Sequence, residues 1–365
     1  MWWRQPAASS DNKEVKTLSL AVDPANLDTS DALDALDRAA EILRRGGLVA
    51  LPTETVYGLG ANALDEAAVR GIFVAKQRPA WDPVIVHIAD EWMLDGLVEQ
   101  VPDAASKLMK KFWPGPLTLL LPRSGAVPDV VTAGRPLVGL RMPAHPVALA
   151  LIRRACVPVA APSANVFGHI SSTTAQHVLH DLDGRIDAVL DAGPTAHGVE
   201  STVLDPCQSP MLIYRPGAIT HKQIFDAAGP VEYFKQTGEL HATPPEALPS
   251  PGVGLRHYAP KARLVLIDGN LAEIGSRMAS AAEGKPIETL GIMLPADVTL
   301  PDGLRAAKVF CWGRWSAPEE LARDLYAGLR ELDAQGCTTI LCPLPSANGI
   351  GAAIRDRLVK AGKRE

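Results

Sequence analysis

The chain has 365 residues, 47% of them hydrophobic and 21% charged, enough apolar material for more than one buried core behind a polar surface. A formal net charge of −5 excludes a protein that grips nucleic acid by bulk positive charge. The five cysteines, Cys156, Cys207, Cys311, Cys337 and Cys342, form no C-x-x-C pair, which excludes a zinc ribbon and fits a reducing compartment with free thiols.

Met1 to Lys16 is polar apart from Trp2, Trp3 and a few small residues, and lacks the apolar core of a signal peptide. No apolar run approaches the roughly 20 residues of a membrane span, so a cytoplasmic location is expected. Leu33, Leu36, Ala40 and Leu43 share one helix face over Ala32 to Arg45, and Gly46 with Gly47 end that helix. Leu48 to Leu51 reads as a strand stopped by Pro52, and Asp65 as the N-cap of a helix carrying Val69, Ile72 and Phe73. Strands follow at Val84 to Ile88, Leu117 to Leu121, Val138 to Arg141, Val157 to Ala161, Ile186 to Leu190, Ser201 to Leu204 and Leu212 to Tyr214. Helices are expected near Asp103 to Phe112, Pro146 to Arg154 and Thr174 to Asp181. The interleaving without strict alternation predicts an α/β domain with a twisted, open, mixed sheet.

Proline enrichment from about Lys235 to Pro260 reads as a linker. Beyond it, strands at Leu264 to Ile267, Leu290 to Leu294, Lys308 to Cys311 and Thr338 to Cys342 alternate with helices at Leu271 to Ala282, Pro318 to Leu332 and from about Ile350. Nearly continuous apolar strands separated by helices predict a smaller Rossmann-like domain with a parallel sheet. The division is therefore residues 30–234, a connector at 235–261, and residues 262–365.

No Gly-x-x-x-x-Gly-Lys-Ser/Thr loop is present. Gly58, Gly60 and Ala63 give a G-x-G-x-x-A pattern, but six residues separate it from the preceding strand, so the glycines read as turn formers and not as a dinucleotide fingerprint. Polar residues cluster instead at strand ends, where the ligands of α/β sheets gather: Lys76 and Arg78, His87, Arg141, Ser163 and Asn165, Ser201, and Arg215. Each has a plainer reading. His87 suits a core histidine, Lys76 and Arg78 a helix end facing its dipole, Ser163 and Asn165 a turn after Pro162, and Ser171 and Thr174 helix caps.

Seven segments occur in matching order: Pro52–Gly60 (PTETVYGLG), Lys76–Pro79 (KQRP), Phe112–Thr118 (FWPGPLT), Arg141–Pro143 (RMP), Ala161–Asn165 (APSAN), Val199–Thr202 (VEST) and Arg215–Gly217 (RPG). Together they resemble the YrdC-type threonylcarbamoyl-AMP synthases, and His257–Pro260 (HYAP) with the C-terminal region resembles the two-domain form of that family. The resemblance spans roughly residues 30 to 365. It implies that L-threonine, bicarbonate and ATP are joined to threonylcarbamoyl-AMP with release of pyrophosphate, for modification of an adenosine in tRNA by a separate transferase. Such chemistry requires positioning and cationic stabilisation of phosphate, not a nucleophilic side chain.

By the same resemblance, Thr55, His87, Arg141, Ala161 and Ser201 would line the threonine pocket, Ala161 through its backbone. Arg78, Asp82, Ser163, Ser171, Arg215 and Tyr258 would contact ATP, with Asn165 close to the phosphates. Lys76 and Arg78 would be the catalytic cations, and Arg141 suits a bidentate grip on the threonine carboxylate. Mg2+ is expected with ATP, held mostly by phosphate and water, since no dedicated metal cage is visible in the sequence. Asp82 departs from the family pattern, where an asparagine before proline is usual, and magnesium binding is one alternative for it. Tyr258, in the linker, either pins the connector or closes over ATP as a lid that excludes water. A competing reading is a double-stranded RNA-binding protein of the same fold, with weak RNA contact. A third, a carbamoyl-phosphate-handling maturation enzyme, would need acylphosphatase and zinc-finger segments that the chain lacks.

Overall fold

The computed structural model describes residues 16–235, 250 and 258–363. Trp2, Trp3, His257 and most of the proline-rich connector lie outside the described residues. The first half opens with β1 (Leu18–Ala21), α1 (Ser30–Arg44), β2 (Val49–Leu51), β3 (Gly58–Asn62), α2 (Glu66–Lys76) and β4 (Ile85–His87). It continues through α3 (Asp103–Phe112), β5 (Leu117–Pro122), α4 (Asp129–Thr132), β6 (Leu137–Arg141), α5 (Pro146–Ala155), β7 (Val159–Ala160) and α6 (Ala175–Leu182). The strands β8 (Ala188–Asp191), β9 (Thr202–Asp205), β10 (Met211–Arg215) and β11 (Val231–Tyr233), with α7 (His221–Ala228), complete it.

These strands make one mixed sheet in the order β1-β8-β2-β3-β7-β4-β6-β5-β9-β10-β11. The short central strands are almost wholly apolar and covered on both faces; Val49, Ala50 and Leu51 are fully buried, as expected of a sheet sandwiched between helices. Helix α1 forms where the periodicity predicts it. Thr29 caps its first turn by accepting from the Ala32 amide, and its buried stripe of Ala32, Leu36, Ala39 and Leu43 packs against α5. Burying Leu36 and Leu43 contributes roughly 1.5–3 kcal/mol each. Asp65 caps α2 through the amides of Ala67 and Ala68.

One expectation is overturned. Gly58 and Gly60 lie inside β3, antiparallel to β2, and are not turn formers. A Cβ on Gly60 would sit 2.8 Å from both Leu51 Cδ2 and Val159 Cγ1, so the glycine is required by close packing against neighbouring strands. The expected strand from Val157 shortens to β7, and β1, β3, α4, α7 and β11 are additions.

The second half contains β12 (Arg263–Ile267), α8 (Leu271–Ala282), β13 (Leu290–Leu294), β14 (Lys308–Cys311), α9 (Pro318–Ala334), β15 (Thr339–Pro343) and α10 (Gly351–Gly362). Its four strands pair in parallel in the order β12-β15-β13-β14, the Rossmann-like sheet expected. Helices α9 and α10 contribute Leu325, Tyr326, Leu329, Ile354 and Leu358 to a core that also takes in Val56, Ile170, Val199 and Tyr258. The two halves thus share apolar packing. Among the described residues no helix is long and apolar enough to cross a membrane.

Candidate active site

The site is built by strand ends. In the parallel β4–β6 ladder His87 stands opposite Arg141, so these two side chains are brought together by register alone. Strand β7 runs antiparallel to β4 and delivers Ala161 and Ser163 beside them; the Ala161 amide donates to the Ile85 carbonyl. Ser201 enters β9 next to Arg215, which leaves β10. Gln77, in the left-handed conformation at φ 54°, turns the chain after α2 and sends Arg78 inward.

The resulting cleft has a volume of about 550 Å3, counting the space open to solvent. Of the residues anticipated from the sequence, Thr55, Arg78, His87, Arg141, Ala161, Ser163, Ser201, Arg215 and Tyr258 line it. Thr53, Val56, Gly58, Val84, Ile85, Pro162 and Glu200 also line it and were not anticipated. Lys76, Asp82, Asn165 and Ser171 lie behind this lining.

At one end Arg141 is fixed on three sides. It pairs with Glu54 Oε1 at 2.7 Å and donates to Thr55 Oγ1 at 2.9 Å and to the Gly115 carbonyl at 3.2 Å. The remaining N–H groups of its five-donor fork are available to an anion. Thr53 Oγ1 accepts from the Thr55 and Val56 amides and donates to the Val56 carbonyl, holding the turn that presents Thr55. Burial, with Arg141 beside it, lowers the His87 pKa to about 3. The imidazole is therefore neutral at physiological pH and adds no second positive charge next to Arg141.

At the other end Arg78 pairs with Asp82 Oδ2 at 2.9 Å, donates to the Asp82 and Pro83 carbonyls, and lies 5.8 Å from the centre of the Phe167 ring. Burial raises the Asp82 pKa and lowers that of Arg78, and each charge offsets the effect on the other. Lys76 is 1% exposed and donates to the Ser163 and Asn165 carbonyls, each at 2.5 Å. Burial and the neighbouring Arg78 charge lower its pKa well below the usual lysine value. Asn165 donates to the Val166 and His169 carbonyls. Lys76 and Asn165 thus brace the 163–169 loop from behind.

Arg215 donates to the Ser201 carbonyl and Oγ, both at 3.1 Å, and Ser201 Oγ lies 2.8 Å from Thr118 Oγ1. Ser171 donates to Glu200 Oε1 at 2.5 Å. Thr174, not Ser171, caps α6. Tyr258 is 1% exposed, takes φ 65°, and stacks on Tyr326 with ring centres 5.8 Å apart. Next to it the Ala259 amide donates to the Gly168 carbonyl. Among the described residues no group of three or more His, Cys, Asp or Glu could hold a metal ion.

A family profile described as telomere recombination matches residues 41–217, and one described as threonylcarbamoyl-AMP synthase, C-terminal domain, matches residues 219–362. The threonylcarbamoyl-AMP synthase of Pyrococcus abyssi (strain GE5 / Orsay) is 41% identical over 328 residues, 88% of this chain and 92% of the relative. That of Bacillus subtilis (strain 168) is 42% identical over 341 residues, 92% of this chain and 96% of the relative. Among solved structures, P. abyssi Sua5 complexed with L-threonine superposes with a TM-score of 0.84 at 39% identity, covering 95% of this chain and 98% of that one.

Proposed function

The chain belongs to the threonylcarbamoyl-AMP synthase family, enzymes of the nucleotidyl-transfer type, and from that premise we propose that it joins L-threonine, bicarbonate and ATP into threonylcarbamoyl-AMP and pyrophosphate. One observation carries the reading. A single cleft sets the Arg141 fork and neutral His87 at one end, and Arg78, Arg215 and Tyr258 at the other. A carboxylate-bearing amino acid suits the first end and a polyphosphate the second.

In this reading Arg141, held still by Glu54, takes the threonine carboxylate, while Thr55, His87, Ser201 and the Ala161 backbone surround the amino acid. The threonine amine nitrogen bonds to the carbon of bicarbonate as a C–O bond breaks and water leaves, or adds to CO2 and gives up a proton, and either route gives a carbamate. A carbamate oxygen then bonds to the α-phosphorus of ATP as the bond to pyrophosphate breaks. Arg78 and Arg215 stabilise the charge that develops on the phosphate oxygens, and Ser163 orients them. Lys76 acts through the loop it braces, together with Asn165, and Ser171 acts through Glu200. Asp82 serves Arg78, which makes it a poor choice as a magnesium ligand; Mg2+ would ride on ATP oxygens and offset their charge. Tyr258 covers the nucleotide and shelters the reactive carbamate from water. The product would pass to a separate transferase acting on tRNA.

Likeness to synthases along nearly the whole chain disfavours the RNA-binding reading. The test is mass spectrometry of products formed from ATP, labelled bicarbonate and threonine. Labelled threonylcarbamoyl-AMP is expected, with pyrophosphate release that requires all three substrates and no RNA. Pyrophosphate release without threonine, or dependence on RNA, would overturn the proposal.

A further inference from the structure

Glu200 borders the cleft, yet its carboxylate is held chiefly by the second domain. Tyr326, on α9, donates its hydroxyl to both carboxylate oxygens at 3.1 and 2.9 Å, and Arg357, on α10, donates Nε to Oε2 at 2.8 Å. Arg357 is 1% exposed and reaches two more site-bearing segments: it donates Nη1 to the Pro216 carbonyl at 2.9 Å and lies 5.3 Å from the centre of the Tyr258 ring. The contact is built to be close. Gly198 takes φ +68°, and a Cβ there would stand 2.4 Å from the Arg323 carbonyl oxygen of α9. Arg330 of α9 adds a bidentate pair with Asp181 and donates to the Ile170 carbonyl, fixing the stretch that carries Ser171.

Charge decides what this arrangement does. Two cations act on the Glu200 carboxylate, Arg357 of the second domain by direct contact and Arg215 of the first, which lines the same cleft. Burial alone would raise its pKa, but the two guanidinium charges and the hydrogen bonds from Arg357 and Ser171 bring it down to about 2, so it is ionised. Among the described residues Arg215 nevertheless donates only to Ser201. A buried carboxylate without compensation draws in the nearest cation.

We propose that Arg357 is a positioning residue for the nucleotide end of the cleft: with Tyr326 it claims the Glu200 carboxylate, so that Arg215 keeps its guanidinium for phosphate. The inference rests on the ATP reading above and gives the second domain a task within it. Removing Arg357 leaves Glu200 to capture Arg215, which withdraws a phosphate donor from the nucleotide end of the cleft.

The experiment compares full-length wild type, Arg357→Met and the Arg357→Met/Glu200→Gln double variant, with ATP and threonine varied separately. Arg357→Met should raise the KM for ATP roughly 30-fold, within the range for breaking a buried charge pair. The KM for threonine should move less than about threefold, because the Arg141 end is untouched. Adding Glu200→Gln should recover most of the ATP loss, since no carboxylate then competes for Arg215. Because the second change also removes the buried unpaired charge and so restores stability in any case, the readout that separates positioning from a structural role is the selective rise in the ATP KM over the threonine KM. An unchanged KM for ATP in the single variant, or a double variant no better than the single, overturns the proposal. If thermal unfolding shows that Arg357→Met does not fold, Tyr326→Phe replaces it, with a smaller rise that Glu200→Gln again relieves and the same overturning results. Calorimetric titration with ATP alone separates the two readings. Wild type that binds ATP without making product sinks the proposed reaction but still tests Arg357, whereas wild type that does not bind ATP sinks both.

Discussion

The two ends of the cleft are assembled by different means. The Arg141 end is made wholly from the first domain: strand register brings His87 to Arg141, and Glu54, Thr55 and Gly115 hold the guanidinium. The end that carries Arg215 and Glu200 leans on Tyr326, Arg330 and Arg357 from the second domain. Among the described residues one end is therefore held within its own fold, and the other has its Glu200 carboxylate fixed by the second domain. Damage to the second domain should accordingly be felt by nucleotide and not by amino acid.

The sharpest way to break this comparison is Arg141→Ala. It strands the Glu54 carboxylate, 7% exposed, without its counter-charge, at a cost of about 3–5 kcal/mol in stability. Turnover should fall by on the order of 1,000-fold with loss of the carboxylate grip. Urea unfolding and kinetics with threonine varied check both; a variant that kept its threonine KM and lost only ATP binding would reverse the assignment of the two ends. Tyr258→Ala comes next, with an ATP KM raised about tenfold and pyrophosphate released in excess of threonylcarbamoyl-AMP as intermediate leaks to water. An unchanged ratio of the two products ends the idea of a lid.

The smallest effect concerns pH. His87 has a folded pKa near 3, against an ordinary value of 6.5. Above pH 6.5 it is neutral in both folded and unfolded chains. As pH falls from 6.5 towards 3 the unfolded chain takes a proton that the folded chain refuses, so stability drops by up to about 1.4 kcal/mol per pH unit from this group. Urea unfolding at pH 7 and pH 5 should show that loss reduced in His87→Gln; equal pH slopes in the two proteins would place His87 outside the buried site. Activity between pH 6 and 9 should carry no titration of this imidazole.

Local signals in the sequence found much of this. Apolar periodicity and the caps at Asp65 and Thr174 located most helices, and polar residues near element ends named Arg78, His87, Arg141, Ser163, Ser201 and Arg215 of the cleft lining, because both follow from a few neighbouring residues. Resemblance then supplied proposed roles for His87 and Arg215, both of which line the cleft. What escaped depends on distance along the chain. Glu200 meets Tyr326 and Arg357, which lie 126 and 157 residues away, and no local pattern encodes that meeting; the one hint was a glutamate placed directly before a buried strand. Lys76 read as a phosphate cation because its partners, the Ser163 and Asn165 carbonyls, are backbone groups that sequence does not mark. Gly58 and Gly60 misled for the opposite reason, since glycine serves tight strand packing as readily as turns.

The meeting of Glu200 with Tyr326 and Arg357 also limits how such a protein can be recombined. A hybrid that took its first half from one homologue and its second from another would inherit the acid from one parent and the phenol and guanidinium from the other. Only parents that share this charge register would yield a working hybrid, so the three positions form a compatibility code to be swapped together or left alone.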